Sequence, residues 1–211
     1  MIRILKTVCR LIIGFIFCSS GTVLAVNSNL GLSPWDVFHQ GLSKITGISM
    51  GQVSIFVGLI VVIATIFLKL EIGLGTIANM ILIGVFMDVI SYTKIIPTSH
   101  NFFVSLLMLL GSLFTMAIGS YLYIGCEMGC GPRDGLMVAL VKKTGKPVGF
   151  IRSCIELGVL VIGFILGGSV GIGTLITVFC LGACIQLVFK VTFADIAEYT
   201  NFSKTTISRY F

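Results

Sequence analysis

Apolar residues dominate the chain in long runs that short polar segments interrupt. A helix needs about 20 mainly apolar residues to cross the hydrocarbon core of a bilayer. Six runs reach or approach that length, at residues 5–26, 49–68, 76–92, 102–123, 148–166 and 174–193. The pattern therefore predicts an all-α polytopic membrane protein with six transmembrane helices.

Two further segments, 34–46 and 132–144, have helical character but are short and carry charged side chains. At about 1.5 Å of rise per residue, each would extend only roughly 20 Å, which is too little to cross a bilayer unaided. We expect both to be re-entrant or interfacial half-helices.

The chain matches itself at an offset of 98 residues, between 21–91 and 119–189. The shared residues are mostly those that govern backbone shape, including the Gly31/Gly129, Pro34/Pro132, Asp36/Asp134, Gly75/Gly173 and Thr76/Thr174 pairs. This predicts two tandem repeats, 1–98 and 99–193, followed by a cytoplasmic polar tail at 194–211. Each repeat holds three spans and one half-helix. Because three is odd, the second repeat is expected to have inverted topology, as in many secondary transporters.

Composition supports this class, since 56% of residues are hydrophobic and only 10% are charged. Soluble domains carry about 25% charged residues, so a soluble protein is excluded. The net charge of +6 is better explained by contact with a lipid bilayer than with nucleic acid, because the basic residues lie between apolar runs. They favour cytoplasmic termini equally with six crossings or with eight, so charge alone leaves the number of crossings open.

The segment LGLSPWD at 30–36 has the features of a helix start. Ser33 can cap the helix, Pro34 suits its first position, and Asp36 can complete a reciprocal cap. The second repeat keeps the proline and the aspartate but has glycine at the cap position, in Gly131, Pro132 and Asp134. The GxGT turns at Gly75–Thr76 and Gly173–Thr174 are likewise predicted to cap helices through threonine.

These motifs together resemble the YczE/YyaS/YitT family of bacterial integral membrane proteins, and its YczE-like branch most closely. The resemblance rests on LGLSPWD, GxGPRDG, the two GxGT turns and the Gly51/Gly149 pair, and it covers residues 10–190. It implies a multi-pass protein of the bacterial plasma membrane with a transport or accessory role. It supplies no catalytic residues.

Helix N-termini attract anions, so the two half-helix starts are candidate solute contacts. Asp36 and Asp134 are explained equally by simple capping. Arg133 adds a cation beside one of these starts. It is either a contact for an anionic solute or a cytoplasmic topology determinant.

Charges inside spans are the other candidates, because burying one in hydrocarbon costs at least about 2.5 kcal/mol. Arg152 and Glu156 are four residues apart and are predicted to pair on one helix face, either in a solute pathway or as a structural ion pair. Asp88 and its repeat equivalent Gln186 are candidate polar positions on such a pathway, and the alternative is that Asp88 lies near enough to the membrane interface to be hydrated.

The remaining polar residues are given simpler roles. Aromatic residues near span ends are predicted to lie at the membrane interface, namely Trp35, Tyr92, Tyr121 and Tyr123. His39 and His100 are expected to be solvated. No metal site, cofactor site or catalytic group is predicted, and we expect the protein not to be an enzyme.

The sequence therefore predicts a transporter of a small anionic or zwitterionic solute that rearranges two inverted repeats. The alternative is a non-transporting accessory, scaffold or sensor subunit. In both cases the protein is expected to reside in the plasma membrane. The sequence leaves the oligomeric state open, including a homo-oligomer or an assembly with a partner subunit.

Overall fold

The computed structural model describes residues 2–69, 72–126, 128–129 and 131–197, so most of the predicted tail lies outside the described residues. These residues form eight helices and no strand, as predicted. The helices are α1 (Ile2–Asn27), α2 (Pro34–Thr46), α3 (Met50–Phe67), α4 (Leu74–Thr93), α5 (Phe102–Ile124), α6 (Pro132–Thr144), α7 (Val148–Ile165) and α8 (Ile172–Ala197).

Six of these helices are long and apolar enough to cross a membrane, and they are α1, α3, α4, α5, α7 and α8. Many of their large apolar side chains are exposed, for example Phe67 and Ile165 at 81% and 75%. A membrane protein presents such surfaces to lipid.

The short helices α2 and α6 have the predicted bounds because local signals mark both of their ends. Each begins at a proline, whose fixed φ suits the first helical position. Each is followed by a glycine in the left-handed conformation, Gly47 with φ 73° and Gly145 with φ 68°.

Neither threonine of the two GxGT turns is the N-cap residue of its helix, but Thr174 Oγ1 accepts a hydrogen bond from the Gly171 backbone N–H at 3.2 Å, so the predicted capping role of Thr174 is confirmed in this form. Each is the third residue of its helix. A Cβ placed on Gly129 would lie 2.7 Å from Oγ1 of Thr76, and one on Gly31 would lie 2.7 Å from Oγ1 of Thr174. Both glycines also have positive φ, 121° and 116°. The predicted turn residues thus pack against the opposite half of the chain.

Backbone hydrogen bonds join the two halves at the same turns. Gly75 N donates to the Met128 carbonyl at 2.8 Å, and Gly173 N donates to the Leu30 carbonyl at 2.7 Å. The two bonds connect positions that are equivalent at the offset of 98. Each half therefore completes the start of a spanning helix in the other half.

Helices α1 and α5 run antiparallel and approach closely at glycines. A Cβ on Gly21 would lie 3.0 Å from the Ser112 carbonyl oxygen, and one on Gly119 would lie 2.8 Å from the Gly14 carbonyl oxygen. These two contacts are also equivalent at the offset of 98. Small residues allow membrane helices to pack at such short distances.

The second and third spans of the two halves pack differently. In the first half, α3 and α4 meet at Gly51 and Gly84, and a Cβ on Gly84 would lie 2.6 Å from the Gly51 carbonyl oxygen. In the second half, a Cβ on Gly149 of α7 or on Gly182 of α8 would meet nothing within 4 Å. We call the α3–α4 contact at Gly51 and Gly84 the closed seam, and the α7–α8 gap at Gly149 and Gly182 the open seam.

Candidate functional site

The two short helices begin beside a central cavity of about 380 Å³, which residues from all eight helices line. Pro34 of α2 and Pro132 of α6 both lie on its wall. Small-molecule sites typically enclose about 300–1,000 Å³, so the cavity can hold a small solute.

The cavity lies where the two halves of the chain face each other. Twelve pairs of its lining residues are separated by 98 positions, among them Thr22 with Ser120, Trp35 with Arg133 and Asn79 with Thr177. Most of the wall is therefore built from equivalent positions in the two halves.

Arg133 at the start of α6 reaches the start of α2. Its guanidinium lies over the Trp35 ring, with 5.1 Å from Cζ to the ring centroid. One Nη atom is 3.6 Å from a carboxylate oxygen of Asp36 and 3.4 Å from Nδ1 of His39. The Arg133 side chain is still 37% exposed, so it keeps donors free for a further partner.

His39 is a buried donor whose tautomer follows from its neighbour. A guanidinium only donates hydrogen bonds, so Nδ1 of His39 accepts and the ring hydrogen lies on Nε2. Burial, and then the charge of Arg133, lowers the pKa of His39 well below its usual range and keeps the ring neutral. Nε2 is buried and has no hydrogen-bond partner among the described residues.

The two short helices differ in how their N-termini are satisfied. Ser33 Oγ accepts from the Asp36 backbone N–H at 3.3 Å and donates to the Asp36 carboxylate at 2.5 Å. The predicted Ser33 cap is thus confirmed, although the Asp36 carboxylate accepts its hydrogen bond from the serine hydroxyl and not from a backbone N–H. At the equivalent position, Gly131 provides no cap, and no hydrogen bond within the described residues reaches the backbone N–H groups of Arg133 and Asp134.

Further charged groups of the second half line the same cavity. Asp134 lies 3.4 Å from the Tyr123 hydroxyl, which donates to it. Loss of hydration raises the pKa of Asp134, and the positive charges of Arg152 and Arg133 oppose this shift. Arg152 and Glu156 form the predicted ion pair, with 2.9 Å between Nε and Oε1.

The charge of the cavity wall is unequally divided between the halves. The second half contributes Arg133, Arg152 and Glu156, whereas the equivalent first-half positions are Trp35, Ser54 and Gly58. A solute in the cavity would therefore meet most charges on one side.

Asp88 and Gln186 do not line the cavity. The Asp88 carboxylate accepts from Gly51 N at 2.9 Å and from the Ser49 hydroxyl, so it binds the start of α3 at the closed seam. In the second half, Gln186 is exposed, and Pro147 occupies the position equivalent to Ser49. We call the group of Ser49, Gly51 and Asp88 the latch.

Several simpler predictions require correction. Trp35, Tyr121 and Tyr123 are each only 8% exposed, so they are interior residues and not interfacial ones, whereas Tyr92 is 89% exposed. His39 is 2% exposed and therefore not solvated, whereas His100 is exposed as predicted. A short helix that packs between the two halves of the chain has an interior environment that its composition does not reveal.

One feature of the sequence indicates the contacts among Trp35, His39 and Arg133. Trp35 and Arg133 are equivalent at the offset of 98, and equivalent residues can meet where the two halves of the chain face each other. His39 lies four residues after Trp35, on the same helix face.

Among the described residues, no group of three or more His, Cys, Asp or Glu side chains is arranged to hold a metal ion.

Comparison with known proteins gives a consistent result. Residues 5–190 match a family described as "Family of unknown function (DUF6198)". The chain is 34% identical over 175 residues to "Uncharacterized membrane protein YczE" of Bacillus subtilis, covering 82% of this chain and 80% of that protein. It is 33% identical over 186 residues to an "Uncharacterized protein" of Haemophilus influenzae, covering 88% and 84% of the two chains.

A further relative is "Uncharacterized protein YyaS" of Bacillus subtilis, which is 31% identical over 180 residues, covering 84% of this chain and 89% of that one. No solved structure matches this chain. The family resemblance drawn from the motifs is confirmed by these relatives.

Proposed function

The chain belongs to the family of unknown function DUF6198, and from its central cavity we propose that this membrane protein is a transporter of a small solute. The transporter works by rearranging two inverted repeats around the cavity.

One observation carries this proposal. The cavity is built from equivalent positions of the two halves, yet the halves differ at equivalent seams, since α3 and α4 touch where α7 and α8 do not. Because the two halves are similar but packed differently, each half can adopt the packing that the other half now has. Closing the open seam while opening the closed one would move access to the cavity from one side of the membrane to the other.

Inverted repeats are supported by the reciprocal contacts between the halves. Helices α1 and α5 are equivalent at the offset of 98, run antiparallel, and exchange matching glycine contacts. Two equivalent antiparallel helices with reciprocal contacts are related by a twofold axis perpendicular to them, which is the arrangement of an inverted repeat. Helices α2 and α6 then enter the membrane from opposite faces as re-entrant half-helices.

The charge distribution supports cytoplasmic termini in a bacterial plasma membrane. With six crossings, eleven of the 14 basic residues lie on the side of the termini, and Lys44 lies opposite. A Lys44→Cys variant in intact cells should react with an impermeant maleimide added outside. Labelling only after the membrane is opened would contradict this orientation.

The solute is small and anionic or zwitterionic. The cavity volume limits its size, and the wall presents Arg133 and Arg152 together with Asp134 and Glu156. Groups of both signs suit a molecule that carries a negative charge with or without a positive one.

Reversible locking of the open seam tests the transporter. Ser153 and Gly182 are equivalent to Ile55 and Gly84, which touch at the closed seam. In a variant without native cysteines, Ser153→Cys with Gly182→Cys should form a disulfide when the open seam closes. Uptake of labelled small organic anions and amino acids into reconstituted vesicles should stop on oxidation and return on reduction.

The control for this experiment lies at the closed seam. A Cβ on Gly58 would be 3.6 Å from Cβ of Met80, within the range of disulfides, so Gly58→Cys with Met80→Cys should oxidise readily and also stop uptake. Oxidation of this control pair alone, together with no uptake of any solute in the panel, would overturn the proposal.

An accessory or scaffold role is the alternative, and the exposed basic segment that holds Lys142, Lys143 and Lys146 supports it. A stoichiometric partner that co-purifies with the chain, without solute uptake by the isolated protein, would favour this role.

A further inference from the structure

We propose that the uncapped start of α6 is a binding site for the carboxylate or phosphate group of a small organic anion, held by Arg133 and the first free N–H groups of that helix. This inference rests on the proposed transport function for its physiological role, but binding can be measured without transport.

Two equivalent helix starts differ in how their N-termini are satisfied. In α2, Ser33 occupies the cap and satisfies the helix internally. In α6, Gly131 leaves the backbone N–H groups of Arg133 and Asp134 without partners among the described residues. Such groups, at the positive end of a helix dipole, form an anion site when they face a cavity.

A guanidinium lies beside this helix start. Arg133 lines the cavity and is 37% exposed, so its contacts with Asp36 and Trp35 do not enclose it. Arginine presents donors in a planar fork that matches carboxylate and phosphate oxygens. The negative charge of Asp36 lies 3.6 Å away and orients the fork without covering it.

A buried histidine beside the helix start also lacks a hydrogen-bond partner. His39 lines the same cavity, is 2% exposed, and carries an Nε2 atom with no partner in the described residues. Because Nδ1 faces the donating Arg133, Nε2 carries the hydrogen. A buried donor without a partner is costly, and a bound acceptor, directly or through one water, would remove that cost.

The groups named above that lack partners are all donors. The Asp36 and Asp134 carboxylates already accept from Ser33, Arg133 and Tyr123, so carboxylate or phosphate oxygens of a ligand would find more unpartnered groups here than a cation would. The neighbouring wall at Val57, Ile83 and Leu181 is apolar, so the rest of the ligand is expected to be a short hydrocarbon group.

The test uses the single tryptophan of the chain, because Trp35 lies directly under Arg133. The purified full chain in nanodiscs of zwitterionic lipid is titrated with butyrate and, separately, with inorganic phosphate while Trp35 emission is followed. Saturable change is expected with at least one of these probes. Nanodiscs that contain phosphatidylglycerol, without added anion, show whether a lipid phosphate occupies the same site.

Two variants at Gly131 make the test specific. The backbone of Gly131, φ −59° and ψ 159°, is nearly that of Ser33, φ −62° and ψ 154°. A Cβ would lie 3.4 Å from its nearest neighbour, an Asn79 oxygen, so both variants should fold. Gly131→Ser should supply a cap and weaken binding by at least about tenfold, because the ligand then competes with a hydroxyl. Gly131→Ala adds a methyl group without a hydroxyl and should bind like the native chain.

The outcomes separate this inference from the proposed function. Equal affinities for Gly131→Ser and Gly131→Ala, or no saturable response in any of the three titrations, would overturn the anion site. A response to phosphatidylglycerol alone, lost in Gly131→Ser, would support the site with lipid phosphate as its ligand. Specific binding without uptake would support the anion site and contradict the transport function. Uptake with no response at Trp35 would support the transport function and contradict the anion site.

Discussion

The closed seam and the open seam have the same glycines but different packing. Gly51 and Gly84 bring α3 and α4 into contact, whereas Gly149 and Gly182 leave α7 and α8 apart. Small residues therefore permit close helix packing without causing it. In the membrane, where apolar surfaces have little preference for each other over lipid, polar contacts and close packing must hold a seam together.

The polar contact that distinguishes the seams is the latch. The Asp88 carboxylate accepts hydrogen bonds from Gly51 N and from the Ser49 hydroxyl, which fastens the end of α4 to the start of α3. The second half has Gln186 and Pro147 at the equivalent positions, and proline has neither a hydroxyl nor a backbone N–H. The open seam thus lacks both the hydroxyl and the carboxylate of the latch.

Adding volume at the two seams should give the largest difference. Gly84→Val places side-chain atoms against the Gly51 carbonyl oxygen, because even its Cβ would lie 2.6 Å away. Overpacking of this kind costs about 1–3 kcal/mol, so the melting temperature in detergent should fall by roughly 2–12 °C.

Gly182→Val is the matched control, because its Cβ would meet nothing within 4 Å. Its melting temperature should stay within about 2 °C of the native value. Solute uptake should nevertheless fall if the open seam must close during transport. Equal destabilisation by the two variants would show that the seams do not differ in solution.

The elements of the fold were more predictable than the cavity. Helices α2 and α6 were located correctly because proline at the start and glycine after the end are local signals. The burial of Trp35 and His39 was not predicted, because it depends on contacts between α2 and residues about 100 positions away. Arg152 and Glu156 are four residues apart on one helix, so their pairing needed no long-range information.

The seam difference was also missed, although the sequence contains its signal. Gly51 and Gly149 are identical, and the alignment therefore suggested equal roles for them. The informative residues were the ones that differ, Asp88 against Gln186 and Ser49 against Pro147. A charge in a span makes Asp88 a candidate for a solute pathway, but its hydrogen bonds connect it to the closed seam.

Removing the latch should have the next largest effect. Asp88→Asn converts the shared acceptor into an amide and weakens two charge-assisted hydrogen bonds, each worth about 1.5–3 kcal/mol. The closed seam should open more often. A cysteine introduced at Ser54, which lines the cavity from α3, should then react several times faster with a maleimide.

Ser49→Ala provides a second route to the same result. It removes one of the two donors to Asp88, so it should increase the reactivity of the Ser54→Cys reporter less than Asp88→Asn does. Because both changes act on one carboxylate, the double variant should react little faster than Asp88→Asn alone. Additive effects would indicate that Ser49 and Asp88 act at different places.

Building a latch at the open seam should give a smaller effect, because new contacts must be made without optimised geometry. Pro147→Ser and Gln186→Asp recreate the hydroxyl and the carboxylate of the first half. If the halves exchange states, the new pair should stabilise the closed form of α7 and α8 by about 1 kcal/mol. Disulfide formation between Ser153→Cys and Gly182→Cys should then rise up to about fivefold. Pro147→Ser with Gln186→Asn is the control, since an amide accepts more weakly and should produce a smaller rise. An unchanged rate of disulfide formation in both variants would mean that α7 and α8 do not approach each other. The closed and open seams would then be fixed features of an asymmetric molecule and not two states that the halves exchange.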